Sequence, residues 1–467
     1  MGKNKLKGKD LRKIDFPNNE SKSLTINILS KHFKHDAKDE KIQIIQSVLL
    51  NPENYLEDSV LMPLARAVIG KIKMKTDYEV HMLRNNGDLN LYGQKHIAHN
   101  ALVQMEEAMR LPISIKGALM PDAHHGYGLP IGGVLATQNA VIPFGVGLDI
   151  GCRMALSIYE LPDAYFKRKT FDIKKAFMKY THFGNDGNLD TPQYHDVLDH
   201  PDFNATTHLK RLHGKAVFQL GTSGTGNHFV ELGYVELHEG NRMNLPAGKY
   251  LGLLSHSGSR GMGAAIAGIY TKIAMEKCKL PNEMRSMAWL DLDDEAGQEY
   301  WLSMNLAGEF AKACHDRIHA NLERALGLNP LTKVENHHNF AWKEMHEGKE
   351  FIVHRKGATP AAEGEMGIIP GSMTTPGFIV SGKGNAGSLN SASHGAGRKF
   401  SRKQARESQT KSGMNKLLSE SGVTLYGGSV EESPHAYKNI ELVMAAQTEL
   451  VNVEGMFLPK VVRMHKG

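Results

Sequence analysis

The sequence predicts a mixed α/β (α+β) fold dominated by one large domain. Two observations carry that prediction. From Ala118 onward, short runs of Val, Ile and Leu alternate with glycine-rich loops, as strands that end in turns require. Between them lie longer stretches with apolar residues at helical spacing, at Ala264 to Cys278, Gln298 to Leu326 and Gln404 to Ser421. Central mixed β-structure with helices around it, and polar residues at the strand ends, accounts for both.

In chain order, residues 1–38 begin with Lys3, Lys5, Lys7, Lys9, Arg12 and Lys13 and read as a basic, flexible tail. Residues 39–72 contain KIQIIQSVLL and SVLMPLARAVIGKI, apolar at helical spacing and separated by Asn51-Pro52, which predicts a helical N-terminal extension. Residues 73–467 then form the large domain. Asn185 to Thr207, rich in Asp, Asn, His and Pro, reads as an exposed loop. Gly377 to Lys383, GFIVSGK, mimics the start of a P-loop but continues with Gly384 and has an apolar, strand-like interior, so it is not a phosphate cradle.

With no 18-residue apolar run, and no apolar signal-peptide core at the N-terminus, the expectation is a cytoplasmic protein without a membrane span. The net charge of +6 and pI near 8.9 favour a polyanionic partner only mildly. That charge is locally concentrated: Arg398 to Lys416 holds seven Lys or Arg against one Glu, and Arg398, Arg402 and Arg406 recur every four residues, the spacing of one helical face. His394, in SHGAGR, leads into this segment. An imidazole there is a competent nucleophile toward a phosphate at neutral pH.

Polar residues set among glycines recur in MPDAHHGYGLPIGGVLA from Met120, FGVGLDIGCRM from Phe144, GTSGTGNHFVEL from Gly221, LLSHSGSRGMG from Leu253, NHHNF from Asn336, VHRKGATPA from Val353 and IIPGSMTTPG from Ile368. Asp149 and Cys152 lie three residues apart, and His228, His256 and His338 each occupy a separate loop. Together they make the ligand inventory of a metal site assembled over long range. With three cysteines in all, Cys152, Cys278 and Cys314, neither a CxxC zinc ribbon nor a disulfide framework is available.

DIGC, GTSGTGNHF, HSGSRG, HHN, RKGA, PGSM, SHGAGR and the terminal KG occur in the order found in the RtcB family of RNA ligases, and the chain resembles that family from about Ala67 to Gly467. The resemblance implies joining of an RNA 3′-phosphate or 2′,3′-cyclic phosphate to a 5′-hydroxyl. It makes His394 the residue that takes GMP from GTP in a phosphoramidate bond. It makes Asp149, Cys152, His228, His256 and His338 ligands of Mn²⁺, two ions bridged by the Cys152 thiolate; the HN dipeptide favours His338 over His337. Asn227, His228, Glu231, His338, Asn339, Pro370, Gly371, Ser372, Met373, His394, Gly395, Ala396, Gly397, Tyr437 and Lys466 fall in segments that line the guanine nucleotide. Residues implied for one site thus run from Asp149 to Lys466, which supports one large catalytic domain. On ligand softness alone, zinc or iron would suit the Asp, Cys and His set at least as well as manganese. An archease-like activator is a further partner that the resemblance implies.

Ser393 before the histidine, Pro376 in PGSMTTPG and Arg153 in DIGCRM depart from the commonest family pattern and point to a divergent bacterial-type member devoted to repairing nuclease-cut RNA instead of tRNA splicing, where the family resemblance by itself implies RNA repair or tRNA splicing. Two other functions compete. A metal-dependent RNA phosphodiesterase or phosphatase would need no guanylate pocket, and a non-catalytic RNA-binding paralogue would have lost a ligand or the nucleophile.

Overall fold

The computed structural model describes residues 14, 16–17, 19–34, 36–72, 82–83, 87–184, 189 and 191–466; the basic run Lys3 to Lys13 lies outside them. The chain divides into two compact units, Met1–Tyr78 and Glu79–Gly467, the second opening somewhat later than residue 73.

In the first unit, helices span Asn19–His32, Lys38–Leu50 and Met62–Ile72. Pro52 cannot continue the second helix and instead opens a 3-10 turn, Pro52–Tyr55. The Asn19–His32 helix corrects the reading of residues 1–38 as tail throughout. Ile28 packs in a cluster with Val48, Leu64 and Val68, and Leu29 packs with Ile45, so this segment is held by apolar burial that the basic residues before it obscured.

The second unit is built on two main sheets. The first runs β1 (Asp88–Leu91), β2 (Ser114–His124), β3 (Ile131–Thr137), β11 (Lys349–Lys356) and β10 (Asn339–His346). The second runs β13 (Met366–Ile369), β14 (Gly377–Gly382), β17 (Val451–Met464), β6 (Phe229–Leu237), β7 (Gly248–Ser257), β5 (Arg153–Tyr159) and β9 (Thr332–His337), with β16 (Thr424–Tyr426) alongside β17. Two short pairs, β4 (Ala140–Val141) with β8 (Leu290–Asp291) and β12 (Ala358–Pro360) with β15 (Ser391–Ser393), complete the strands. GFIVSG is strand β14, as its apolar alternation requires.

The second sheet curls almost into a barrel. Its end strands are tied by one side chain: Asn336 on β9 accepts from the Ile368 amide at 2.9 Å and donates to the Ile368 carbonyl at 3.2 Å. Met154, Leu156, Val235, Leu254, Val334, Ile379 and Phe457 fill the interior. The helices Arg260–Lys277 and Glu295–Leu326 form the largest apolar cluster.

Two local readings change. The expected helix from Gln404 to Ser421 is two helices, Arg402–Ser408 and Lys411–Glu420. Ser401 and Gln404 form a reciprocal cap on the first, and Thr410 caps the second by accepting from the Gly413 amide at 3.1 Å. Arg398 precedes the first helix and so does not share a face with Arg402 and Arg406. Within Asn185 to Thr207, Val197, Leu198 and Phe203 are buried in the large helical cluster, on 3-10 turns Asp196–Asp199 and Pro201–Asn204, so this stretch is not simply an exposed loop.

Candidate active site

Sheet register brings the polar loops to one end of the near-barrel. Arg153, which follows Cys152, pairs with Ser257 on β7 and with His337 on β9. Phe229, which follows His228, pairs with His256 on one side and with Met464, near the C-terminus, on the other. Antiparallel pairing therefore places the start of β5 and β6 beside the end of β7, β9 and β17. The loops that carry Asp149, Cys152, His228, His256, His338 and Lys466 emerge together.

Their ligand atoms converge. Cys152 Sγ lies 3.4 Å from His228 Nε2 and 3.2 Å from His256 Nε2. His256 Nε2 is 3.2 Å from His338 Nε2, and His228 Nε2 is 2.8 Å from Asp149 Oδ2. The Cys152, His228 and His256 ligand atoms all lie within 4.8 Å of one another. Glycine makes the convergence possible: a Cβ at Gly258 would collide with the Asp149 carboxylate, and one at Gly224 with the His228 ring.

The electrostatics suit a cation. Burial holds His256 down at about 3 and His338 well below its ordinary value, so both rings are neutral, the form that ligates a metal. His256 Nδ1 donates to the Asn227 carbonyl at 3.0 Å, which leaves the Nε2 lone pair facing the centre. Burial opposes ionisation of Asp149, but the adjacent His228 overcomes it and holds the carboxyl at about 2. Burial, with Asp149 adding to it, pushes the Cys152 thiol well up; a divalent cation is the charge that reverses this. A thiol and two imidazoles whose ligand atoms meet, with the Asp149 carboxylate against His228 and the His338 imidazole against His256, fit a transition-metal centre.

His394 stands at its edge. Ser393 pairs with Ala358, and Gly357 donates to the His338 carbonyl at 2.7 Å, so the His394 and His338 rings come to 4.9 Å between centroids. Asp122, fully buried at the end of β2, accepts from His394 Nδ1 at 2.7 Å and from the His394 amide at 3.3 Å. Burial raises the Asp122 carboxyl, but the His394 hydrogen bond and the His394 and Lys438 charges prevail and hold it below its ordinary value. In the neutral ring, with Nδ1–H engaged by Asp122, the lone pair is on Nε2.

The other residues expected around the nucleotide divide into three groups. Pro370 to Met373 and Gly395 to Gly397 interlock, with the Ala396 amide donating to the Pro370 carbonyl at 3.0 Å, while Met373 packs with Met414, Leu418, Val462 and Met464. Asn227, Glu231 and Lys466 lie around the same end of the sheet; burial pushes the Glu231 carboxyl up to about 8, and Lys466 is exposed. Asn339 and Tyr437 have structural partners. Asn339 donates to the Asp149 carbonyl at 3.3 Å and accepts from the Gly357 amide at 2.9 Å, and the Tyr437 hydroxyl bonds Glu432 beside Arg398. His337 is turned away, its ring against Phe340 and Trp342.

Two residues escaped the sequence reading. Asp122 sits in MPDAHHGYG, a segment recognisable by its glycines, but its partner is 272 residues away. Lys356, in RKGA, is buried with Nζ on the Tyr127 and Phe144 carbonyls, and burial lowers it to about 7. A pair of ionisable residues beside glycine loops was the available signal for both.

Residues 104–201 and 168–464 match the family RtcB, described as tRNA-splicing ligase RtcB. An RNA-splicing ligase RtcB of Escherichia coli is 32% identical over 390 residues, covering 76% of this chain and 91% of that protein. A tRNA-splicing ligase RtcB of Nanoarchaeum equitans is 31% identical over 423 residues, covering 75% and 88%, and one of Thermococcus kodakarensis is 29% identical over 398 residues, covering 70% and 82%.

Proposed function

The chain belongs to the RtcB family and is an RNA ligase, and from that premise we propose that it seals RNA 3′-phosphate or 2′,3′-cyclic phosphate ends to 5′-hydroxyl ends through a guanylylated His394. The observation that carries the reading is the Asp122–His394 hydrogen bond. It fixes the tautomer in which Nε2 is nucleophilic and stabilises the charge the ring acquires on attack.

A terminal RNA phosphate is anionic and has no leaving group, so the 5′-hydroxyl cannot displace anything from it. Activation removes the obstacle. His394 Nε2 attacks the α-phosphorus of GTP, forming a P–N bond as pyrophosphate leaves. An oxygen of the RNA 3′-phosphate then attacks the same phosphorus, the P–N bond breaks, and RNA 3′-pp-5′-G results. Attack of the 5′-hydroxyl on the RNA phosphorus expels GMP and leaves the new phosphodiester. A cyclic phosphate is first hydrolysed to the 3′-phosphate.

Asp149, Cys152, His228, His256 and His338 would hold Mn²⁺, two ions, which would neutralise phosphate oxygens and lower the pKa of the attacking hydroxyl. The interlocked Pro370–Met373 and Gly395–Gly397 loops offer backbone amides to the nucleotide, with Asn227, Glu231 and Lys466 around it and Asn339 and Tyr437 bracing its walls. The exposed Lys and Arg residues between Lys399 and Lys416 offer charge to RNA phosphates. A hydrolase reading accounts for the metal ligands but gives no task to the guanylate pocket that Pro370 to Met373, Gly395 to Gly397 and Lys466 would form. An archease-like activator would act on this same cycle.

Incubation with α-labelled GTP and Mn²⁺ gives a covalent, acid-labile, alkali-stable adduct on the protein, and His394→Ala abolishes it. Persistence of the adduct in that variant would show that another residue is the nucleophile.

A further inference from the structure

Beside this buried polar centre stands an exposed aromatic ring. Tyr127 is 78% exposed, on the turn between β2 and β3. Single exposed tyrosines are common and by themselves mean nothing. Here the backbone that bears the ring is clamped on every side. Gln104, on the His99–Met109 helix, donates to the carbonyls of Gly126 at 2.7 Å and Gly128 at 3.3 Å and accepts from the Gly126 amide at 3.1 Å. The Tyr127 carbonyl itself accepts from Lys356. Gly128, at φ +70°, adopts a turn that other residues resist.

The clamp also ties Tyr127 to the reacting groups. Lys356 precedes Gly357, whose amide holds the His338 carbonyl and whose Cα faces the His394 ring. The Lys356 ammonium also holds the Phe144 carbonyl at 3.2 Å, and its chain lies against Gly147. Next in sequence is Leu148, 50% exposed, and then the candidate metal ligand Asp149. One buried lysine therefore braces two loops, each presenting an exposed apolar side chain near a site lined by charge.

We propose that Tyr127, with Leu148, is the stacking platform for an unpaired nucleobase of the RNA beside the break. The proposal rests on the RNA-ligase reading of the same site and adds the residue that seats the strand. An end that must be joined is single-stranded at its last nucleotides, and its bases are free to stack on an aromatic face. Stacking is indifferent to base identity, which suits an enzyme that acts on ends. The clamped loop fixes the backbone that bears the ring, so little backbone conformational entropy is lost when the base arrives.

The test uses the full-length protein and a fluorescein-labelled single-stranded oligoribonucleotide ending in a 3′-phosphate, with affinity read by anisotropy without GTP and with self-guanylylation measured separately without RNA. Tyr127→Ala is expected to weaken RNA binding about ten-fold, Tyr127→Phe and Tyr127→Trp to bind as the parent does, and all three to guanylylate at the parent rate. Oligonucleotides made abasic one position at a time near the 3′-end should include one on which parent and Tyr127→Ala bind equally. Equal binding of Tyr127→Ala and parent to the intact oligonucleotide overturns the proposal. So does a Tyr127→Phe variant as weak as Tyr127→Ala, which would assign the effect to the hydroxyl, or guanylylation that falls in parallel, which would assign it to the bracing of Lys356. Absence of any guanylate adduct on the parent protein would instead refute the catalytic reading and leave the anisotropy result standing by itself.

Discussion

At the scale of single residues, the site stores cost as well as chemistry. Glu231 is buried on β6 with its carboxyl pushed up to about 8 from an ordinary value near 4.5, and the cause is desolvation alone. It is therefore protonated in the folded protein at neutral pH and ionised in the unfolded chain. A raised folded pKa contributes stability below the unfolded value, and that contribution is lost as pH rises toward the folded value. Glu231→Gln should accordingly raise stability at pH 7.5 by up to about 4 kcal/mol, with the gain vanishing below about pH 4.5, and it should weaken GTP binding. Thermal melts across that pH range with and without GTP check both parts. A variant no more stable than the parent at pH 7.5 would mean that the carboxyl is not buried as described. A destabilising group kept at the proposed nucleotide site is the pattern expected where function and stability conflict.

At the scale of elements, the Glu295–Leu326 helix does more than fill the core. His315 Nε2 donates to the Ser257 carbonyl at 3.1 Å, and His315 Nδ1 accepts from the Ser255 hydroxyl at 2.6 Å. Ser255 Oγ accepts from His319 Nε2 at 2.8 Å, and His319 Nδ1 accepts from Ser157 at 2.8 Å. Burial holds His315 well below its ordinary value and His319 at about 3, so one set of neutral tautomers satisfies the whole chain of bonds. The bonds grip β7 on both sides of His256. His315→Ala would leave a cavity and orphan a buried hydroxyl and carbonyl, and it should cost roughly 2–4 kcal/mol, read as a lowered urea midpoint. A midpoint within experimental error of the parent would refute the role. The split of the basic segment into two helices belongs to this scale as well. Ser401 with Gln404, and Thr410, cap two separate helices, so the four-residue recurrence of arginines does not mark one continuous face.

At the scale of the whole molecule, charge is concentrated in one segment. Residues 398–416, with seven basic side chains and one acidic, carry a net +6, as large as the net charge of the entire chain. Arg398 and Arg406 are engaged by Glu432 and Glu431 at 2.8 and 2.6 Å, whereas Lys399, Lys403 and Lys411 are exposed. Replacing these three lysines with glutamine should lower the slope of log K against log salt for single-stranded RNA by about 2, since each phosphate contact contributes roughly 0.7, while self-guanylylation stays constant. RNA titrations between low and moderate salt measure this, and an unchanged slope would show that the lysines meet only solvent. Among the described residues no helix is long and apolar enough to cross a membrane.

Much of this was legible before any coordinate. Periodicity marked the helices of the extension and of the Glu295–Leu326 segment, because 3.6-residue spacing is a local property of the chain. Glycine loops marked the segments that hold Asp149, Cys152, His228, His256, His338 and His394, because side chains crowded at one point need neighbours without bulk. Tertiary structure alone decided which loops meet and which partner each side chain takes. Asp122 finds His394 across 272 residues, Asn336 closes the near-barrel, and Phe203 is drawn from an apparently polar loop into the core. Those outcomes follow from strand register and burial, which depend on the whole chain at once, whereas spacing, caps and turns are written within a few residues.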